Sequence, residues 1–337
     1  MFFYSKTMAA YSSERAGVLQ ILWQALQLPT KAATLFFPLF ALTLFSSSCV
    51  FYANFSSISP VLMDLVSKLH ILLKGPAPGP ELSHVLLEMK KELKQVAGSE
   101  SIITLISFFA SLFLLVATFY TFAMAYSGTS LTPKALLSRV ARRWYQTLVT
   151  RLYVVLLSLG FGLLSSLVIG TVMLVCDDST YLASSSVGLC IVAASIYIYL
   201  WTRWSMSLVI TVVEETWGIG ALSWSVELFV GNKKKGWILT FILMLLKIVI
   251  YGVLGLLMMA GPTPPSPPPP PLEDQLRIGF LAATASALLD MYAMAVYTVF
   301  YYECRKSHGL DEMLKVQEGF MYTSLPAAVV NVEATFP

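Results

Sequence analysis

Charge is what this sequence has least of. Asp, Glu, Lys and Arg make up 12% of its 337 residues, about half the usual share of a soluble domain. Histidine is nearly missing too. His70, His84 and His308 stand far apart and outside any acidic cluster. Cys49, Cys176, Cys190 and Cys304 are equally scattered, without C-x-x-C or Cys/His spacing, which argues against a metal site and leaves the redox compartment open. No carboxylate pair, histidine cluster or nucleophile–base pair falls within a hydrophobic run, so no enzyme is expected and no cofactor is implied. A net charge of +3 with no aromatic-basic patch excludes nucleic acid. The first long apolar run starts near Ala32, too deep for a cleavable leader.

What is present is apolar surface. Hydrophobic residues are 57% of the chain and the mean hydropathy is +0.72. That is too many for a soluble core, so the partner of most of this chain is the lipid bilayer. Six runs reach the roughly 20 residues a bilayer core requires: 32–52, 102–126, 151–175, 187–213, 237–260 and 278–302. The expected fold is therefore all-α, a polytopic membrane bundle of six transmembrane helices plus in-plane amphipathic helices. A 1–31 tail, a 32–302 membrane domain and a 303–337 tail make up the chain. Pro38 is expected to kink the first span by removing a backbone donor. Small residues in the third span (Gly160, Gly162, Ser165, Ser166, Gly170) and the sixth (Ala282, Ala283, Ala285, Ser286, Ala287) predict close helix–helix approach.

Lys and Arg distribution sets the expected orientation. With the N-terminus inside, 14 of the 22 bases fall on the cytoplasmic side and six outside, with Arg203 and Lys247 inside spans. Both termini are thus expected in the cytoplasm, with an endomembrane (the endoplasmic reticulum) or the plasma membrane as the setting.

The stretches between spans carry their own patterns. Residues 1–17 are polar and expected to be mobile. Between Val18 and Leu28, Gln20, Gln24 and Gln27 line one face and Leu19, Leu22, Trp23 and Leu26 the other, ended by Pro29. Such a helix lies in the membrane surface or packs on the bundle. In the first outer loop, Leu82, Val85, Leu86, Met89, Leu93 and Val96 fall at helical spacing and predict one amphipathic helix over 81–96, capping the bundle or lying on the outer leaflet. Asn54-Phe55-Ser56 is a glycosylation sequon set very close to the first span. Residues 261–271, GPTPPSPPPPP, predict a stiff polyproline spacer on the outer side. Its S-P-P-P-P unit at Ser266 resembles that of plant extensins, which are hydroxylated and glycosylated.

The densest pattern runs from Tyr199 to Gly236. Glu214-Glu215 closes the fourth span, and a short in-plane helix is expected over 216–230. Trp217, Trp224 and Leu228 share one face, Gly218, Ala221 and Ser225 form a small stripe, and Thr216, Ser223 and Glu227 a polar edge. Lys233, Lys234 and Lys235 follow, suited to anionic headgroups on the cytoplasmic side. Tyr199-Leu200, Trp204, Ser207, Val209, Glu214-Glu215, Gly218, Ala221-Leu222, Ser225, Leu228 and Gly231 together resemble the motif of a family of uncharacterised plant polytopic membrane proteins. More distantly, the pattern is similar to the membrane domain fused to some bacterial glycerophosphodiester phosphodiesterases. The resemblance implies a six-span layout and says almost nothing of activity. Trp224 stands where relatives often have a basic residue, and the phosphodiesterase catalytic domain is absent.

Charges inside the spans are the remaining candidates. Arg203, Lys247 and Asp290 each fall roughly 15–18 Å from the inner boundary, counted at about 1.5 Å per residue. They make either a polar site or ion path, or a structural Lys247–Asp290 pair with Arg203 reaching backbone carbonyls or snorkelling. The expected function is a non-enzymatic scaffold or membrane-organising protein. A transporter or channel using these three charges is the alternative.

Overall fold

In lipid, backbone N–H and C=O groups find partners only within the chain, so long apolar runs close into helices. The computed structural model obeys this throughout the residues it describes, which are 2–74, 80–129, 132–175, 179–214, 216–259 and 272–308. Eight helices follow in order among them: α1 (Phe2–Lys31), α2 (Ala33–Lys74), α3 (Pro80–Ser127), α4 (Pro133–Val175), α5 (Ser179–Val213), α6 (Ile219–Phe229), α7 (Lys233–Met259) and α8 (Leu272–Ser307). Six are long and apolar enough to cross a membrane, with candidate spans Ala33–Asn54, Ser101–Ser127, Pro133–Val172, Val187–Val213, Lys233–Leu256 and Leu276–Ser307. The protein is thus an all-α, multi-pass membrane protein. The polyproline run, Glu215 and the tail beyond His308 lie outside the described residues.

Pairs of side chains fix the register of neighbouring helices. Arg139 reaches Tyr120, Trp144 stacks on Phe113 and Arg151 lies over Phe108, so α4 climbs as α3 descends. On the other side Thr150 meets Thr211 and Phe161 meets Tyr197, which makes α4 and α5 antiparallel. Three rungs lock α7 to α8: Thr240–Tyr297, Lys247–Asp290 and Tyr251–Ser286. Their steps of seven and four residues are the repeat of an antiparallel coiled-coil seam. α8 is the central element. It packs on α1, α2, α3, α5, α6 and α7, and Ala295, Val296, Val299, Phe300 and Tyr301 on it are almost wholly buried.

Several expectations change. The stretch 1–17 is helical from Phe2 onward, continuous with the amphipathic segment, and α1 runs two residues past Pro29 before turning at Ala32. The helix also has two apolar faces, not one. Val18, Ile21, Ala25 and Leu28 are buried against the bundle, while Leu19, Trp23 and Leu26 are exposed. The helix expected over 81–96 is the first part of α3, because nothing between Glu81 and Ile102 stronger than Gly98 interrupts it. At 1.5 Å per residue α2 and α3 measure about 63 and 72 Å, so both outrun a bilayer, and their mutual contact is the most extensive among the described residues.

The small-residue stripes divide. Gly160, Gly162 and Gly170 of α4 have open space where a Cβ would stand, so among the described residues no helix packs against them. On α8 the stripe does pack: Ala283 and Ala287 are buried, and the Phe51 ring of α2 fills the space beside Gly279.

Candidate functional site

The polar interior gathers at one end of the bundle, where α1, α6 and the ends of α3, α5, α7 and α8 meet. Glu214 is its hub. A carboxylate just past the last residue of α5 faces the negative end of that helix and requires cations. The Tyr301 hydroxyl donates to Glu214 Oε1 at 2.5 Å, and Arg305 Nη1 stands 3.9 Å from the same oxygen while donating to the Tyr301 hydroxyl at 3.1 Å. Arg143 Nη1 donates to the Glu214 backbone carbonyl at 3.0 Å. Four residues from α4, α5 and α8 are tied through one acid.

A second knot holds α6. Gly218 precedes this helix with φ 64° and ψ −131°, a conformation open to glycine and strained for other residues. Its N–H donates to Thr150 Oγ1 of α4 at 2.8 Å, and that hydroxyl lies 3.1 Å from Thr211 Oγ1 of α5. The small stripe then does what its spacing promised. Ala221 and Ser225 are fully buried with Leu228 and Phe229, while Trp217 is exposed and Trp224 half-buried. Gly231, at φ 94°, makes the turn into α7. Trp204 is buried edge-on to Tyr197.

The three mid-helix charges do not converge. Lys247 Nζ donates to Asp290 Oδ1 at 2.5 Å, with side chains 38% and 44% exposed. Arg203 is elsewhere, its guanidinium 5.8 Å from the centre of the Tyr199 ring and its Nε buried without a hydrogen-bond partner. Above and below, the hydroxyls are spent on one another: Thr202 Oγ1 lies 2.7 Å from Thr240 Oγ1, which lies 3.2 Å from the Tyr297 hydroxyl.

A cavity of about 400 Å3 opens at the same end of the bundle, between α1, the first turn of α7 and the last turns of α8. Gln20, Gln24, Asn232, Lys235, Glu303 and Lys306 line it. The three lysines of the basic block separate here: Lys233 and Lys234 are exposed, whereas Lys235 is half-buried, with Cε and Nζ both 3.7 Å from where a Cβ on Gly17 would stand. Gln24 Oε1 is buried without a hydrogen-bond partner. Among the described residues no group of three or more His, Cys, Asp or Glu could hold a metal ion.

Sequence reasoning missed Arg143, Tyr301, Arg305 and this cavity. Arg143 read as one of several loop bases, yet it is 6% exposed. Tyr301 and Arg305, four residues apart at the close of an apolar run, were the available signal, since that spacing puts both on one helix face.

Residues 13–316 match a family model described as a domain of unknown function, DUF8558. No curated protein and no solved structure matches the chain.

Proposed function

The chain belongs to the DUF8558 family, and from that premise we propose that it is a non-enzymatic membrane protein that organises lipids or protein partners at the cytoplasmic face. One observation carries the reading: the mid-span charges do not converge, Lys247 and Asp290 holding each other while Arg203 stands apart over the Tyr199 ring. Lys247 and Asp290 neutralise each other, and Thr202, Thr240 and Tyr297 are linked hydroxyl to hydroxyl. A channel needs a polar stripe that leads through the bilayer; here the polar residues collect at one end. In the same proposal that end is cytoplasmic, in an endomembrane or the plasma membrane. There Lys233 and Lys234 meet anionic headgroups, α6 lies at their level, and the motif around it extends the reading to the plant polytopic family it resembles.

The transporter alternative rests on Arg203, Lys247 and Asp290. The full chain reconstituted into proteoliposomes, loaded with proton- and cation-sensitive dyes, tests it. The proposal expects flux no greater than in protein-free vesicles. Flux that depends on Asp290, lost in Asp290→Asn protein of equal incorporation, would replace the organising reading with transport.

A further inference from the structure

We propose that the cavity between α1 and the adjoining ends of α7 and α8 binds a glycerophospholipid headgroup, one whose phosphate is accompanied by hydroxyl or ammonium hydrogens. This deepens the proposed function and rests on its claim that this end of the bundle lies at a headgroup layer.

The charge comes first. Lys235 and Lys306 approach the cavity from different helices, and the first turn of α7 borders it. Two ammonium groups beside a helix N-terminus favour an anion with several acceptor oxygens. Lys235 is turned inward while Lys233 and Lys234 remain exposed, so the cation inside belongs to a formed site and not to a uniformly solvated block.

The acceptors narrow the ligand. Gln24 lines the cavity and its covered Oε1 has no partner, which is costly for a buried acceptor; a turn of the amide presents that oxygen to a ligand. Glu303 supplies further acceptor oxygens. A bare phosphate answers the lysines and leaves these acceptors unserved. A phosphodiester with serine or ethanolamine ammonium, or with inositol or glycerol hydroxyls, serves both. The volume is within the range of small-ligand sites.

The third argument is the order of faces around α1. Its buried stripe (Val18, Ile21, Ala25, Leu28) is followed by Gln20 and Gln24 at the cavity, and then by exposed Leu19, Trp23 and Leu26. The polar site thus sits between the bundle and an apolar face open to lipid. A ligand with a polar head and acyl chains fits that sequence of surfaces: the head in the cavity, the chains along Leu19, Trp23 and Leu26.

The test measures binding of short-chain dihexanoyl phosphatidylserine, phosphatidylinositol and phosphatidylcholine, and of inorganic phosphate, to the full chain in detergent by native mass spectrometry or thermophoresis. Phosphatidylserine and phosphatidylinositol should bind about tenfold tighter than phosphatidylcholine, which has the phosphate but no donor hydrogens, and tighter than inorganic phosphate. Lys235→Ala should weaken them about tenfold, the size of one charge-assisted hydrogen bond, whereas Lys233→Ala stays within about twofold. Gln24→Leu should erase the preference over phosphatidylcholine, and it decides the matter if Lys235→Ala fails to fold. Equal binding of phosphatidylcholine, equal losses in Lys233→Ala and Lys235→Ala, or inorganic phosphate matching the lipids would each overturn the site. Monomeric lipid in detergent binds irrespective of membrane sidedness or ion flux. A failure here therefore sinks the site and leaves the proposed function standing.

Discussion

Lys247 and Asp290 each sit in an apolar run, where a lone charge near mid-membrane costs roughly 2.5–3.5 kcal/mol on insertion scales. The structure brings them to 2.5 Å, which makes a specific expectation about their coupling. Lys247→Met or Asp290→Asn alone strands one ion and should destabilise the protein by about 2–3 kcal/mol. The double change should recover at least about 1 kcal/mol of the summed loss, as for any directly paired charges. A denaturant titration of the four proteins measures this, and additive losses would mean the pair does not act as one. Depth counted along the runs put both residues at one level, but it put Arg203 there too, and only the packing of α7 on α8 singles out this pair. Counting residues could not place Arg143, because a base beyond a span looks the same whether it is solvated or, as here, bound to the Glu214 carbonyl.

Among the elements, glycine positions distinguish faces that the sequence could not. Lipid tails and neighbouring helices are equally apolar, so a small-residue stripe on a span does not reveal which of them it meets. Gly236 at the start of α7 lies against the Phe229 ring, with Phe300 Cζ 2.9 Å from where a Cβ would stand. Gly160 of α4 has nothing within 4 Å. Gly236→Ala should therefore cost about 1–3 kcal/mol by overpacking, while Gly160→Ala should be neutral or stabilising by up to about 1 kcal/mol through helix propensity. Thermal unfolding in detergent reads both, and an equal response would refute the assigned faces. The same ambiguity explains α1. Its glutamines marked one face correctly as polar, but the rest of the helix is apolar, and only the packing on the bundle, α8 above all, separates the Ile21 stripe from the Trp23 stripe. The α6 stripe was legible because Gly218, Ala221 and Ser225 are small among bulky neighbours, and such residues seat a short helix on longer ones.

For the whole molecule, the number of spans followed directly from run length, and the candidate spans of the structure agree with the six runs to within a few residues at most ends. The third departs furthest, since α4 begins at Pro133, well before the apolar run at Arg151, and this early part carries the bases that bind α3 and α5. Six crossings put α1 and the end of α8 on one side, beside α6 and the cavity. We place this side in the cytoplasm, as the bias of 14 bases to six implies. The direct measurement is labelling of single cysteines at Ser12, Ser179 and Ser307, in a chain whose four native cysteines are changed to alanine, with a membrane-impermeant maleimide on intact cells that display the protein at their surface. Labelling is expected at 179 alone until the membrane is permeabilised, after which 12 and 307 react. Labelling of 12 or 307 from outside, or protection of 179, would contradict it.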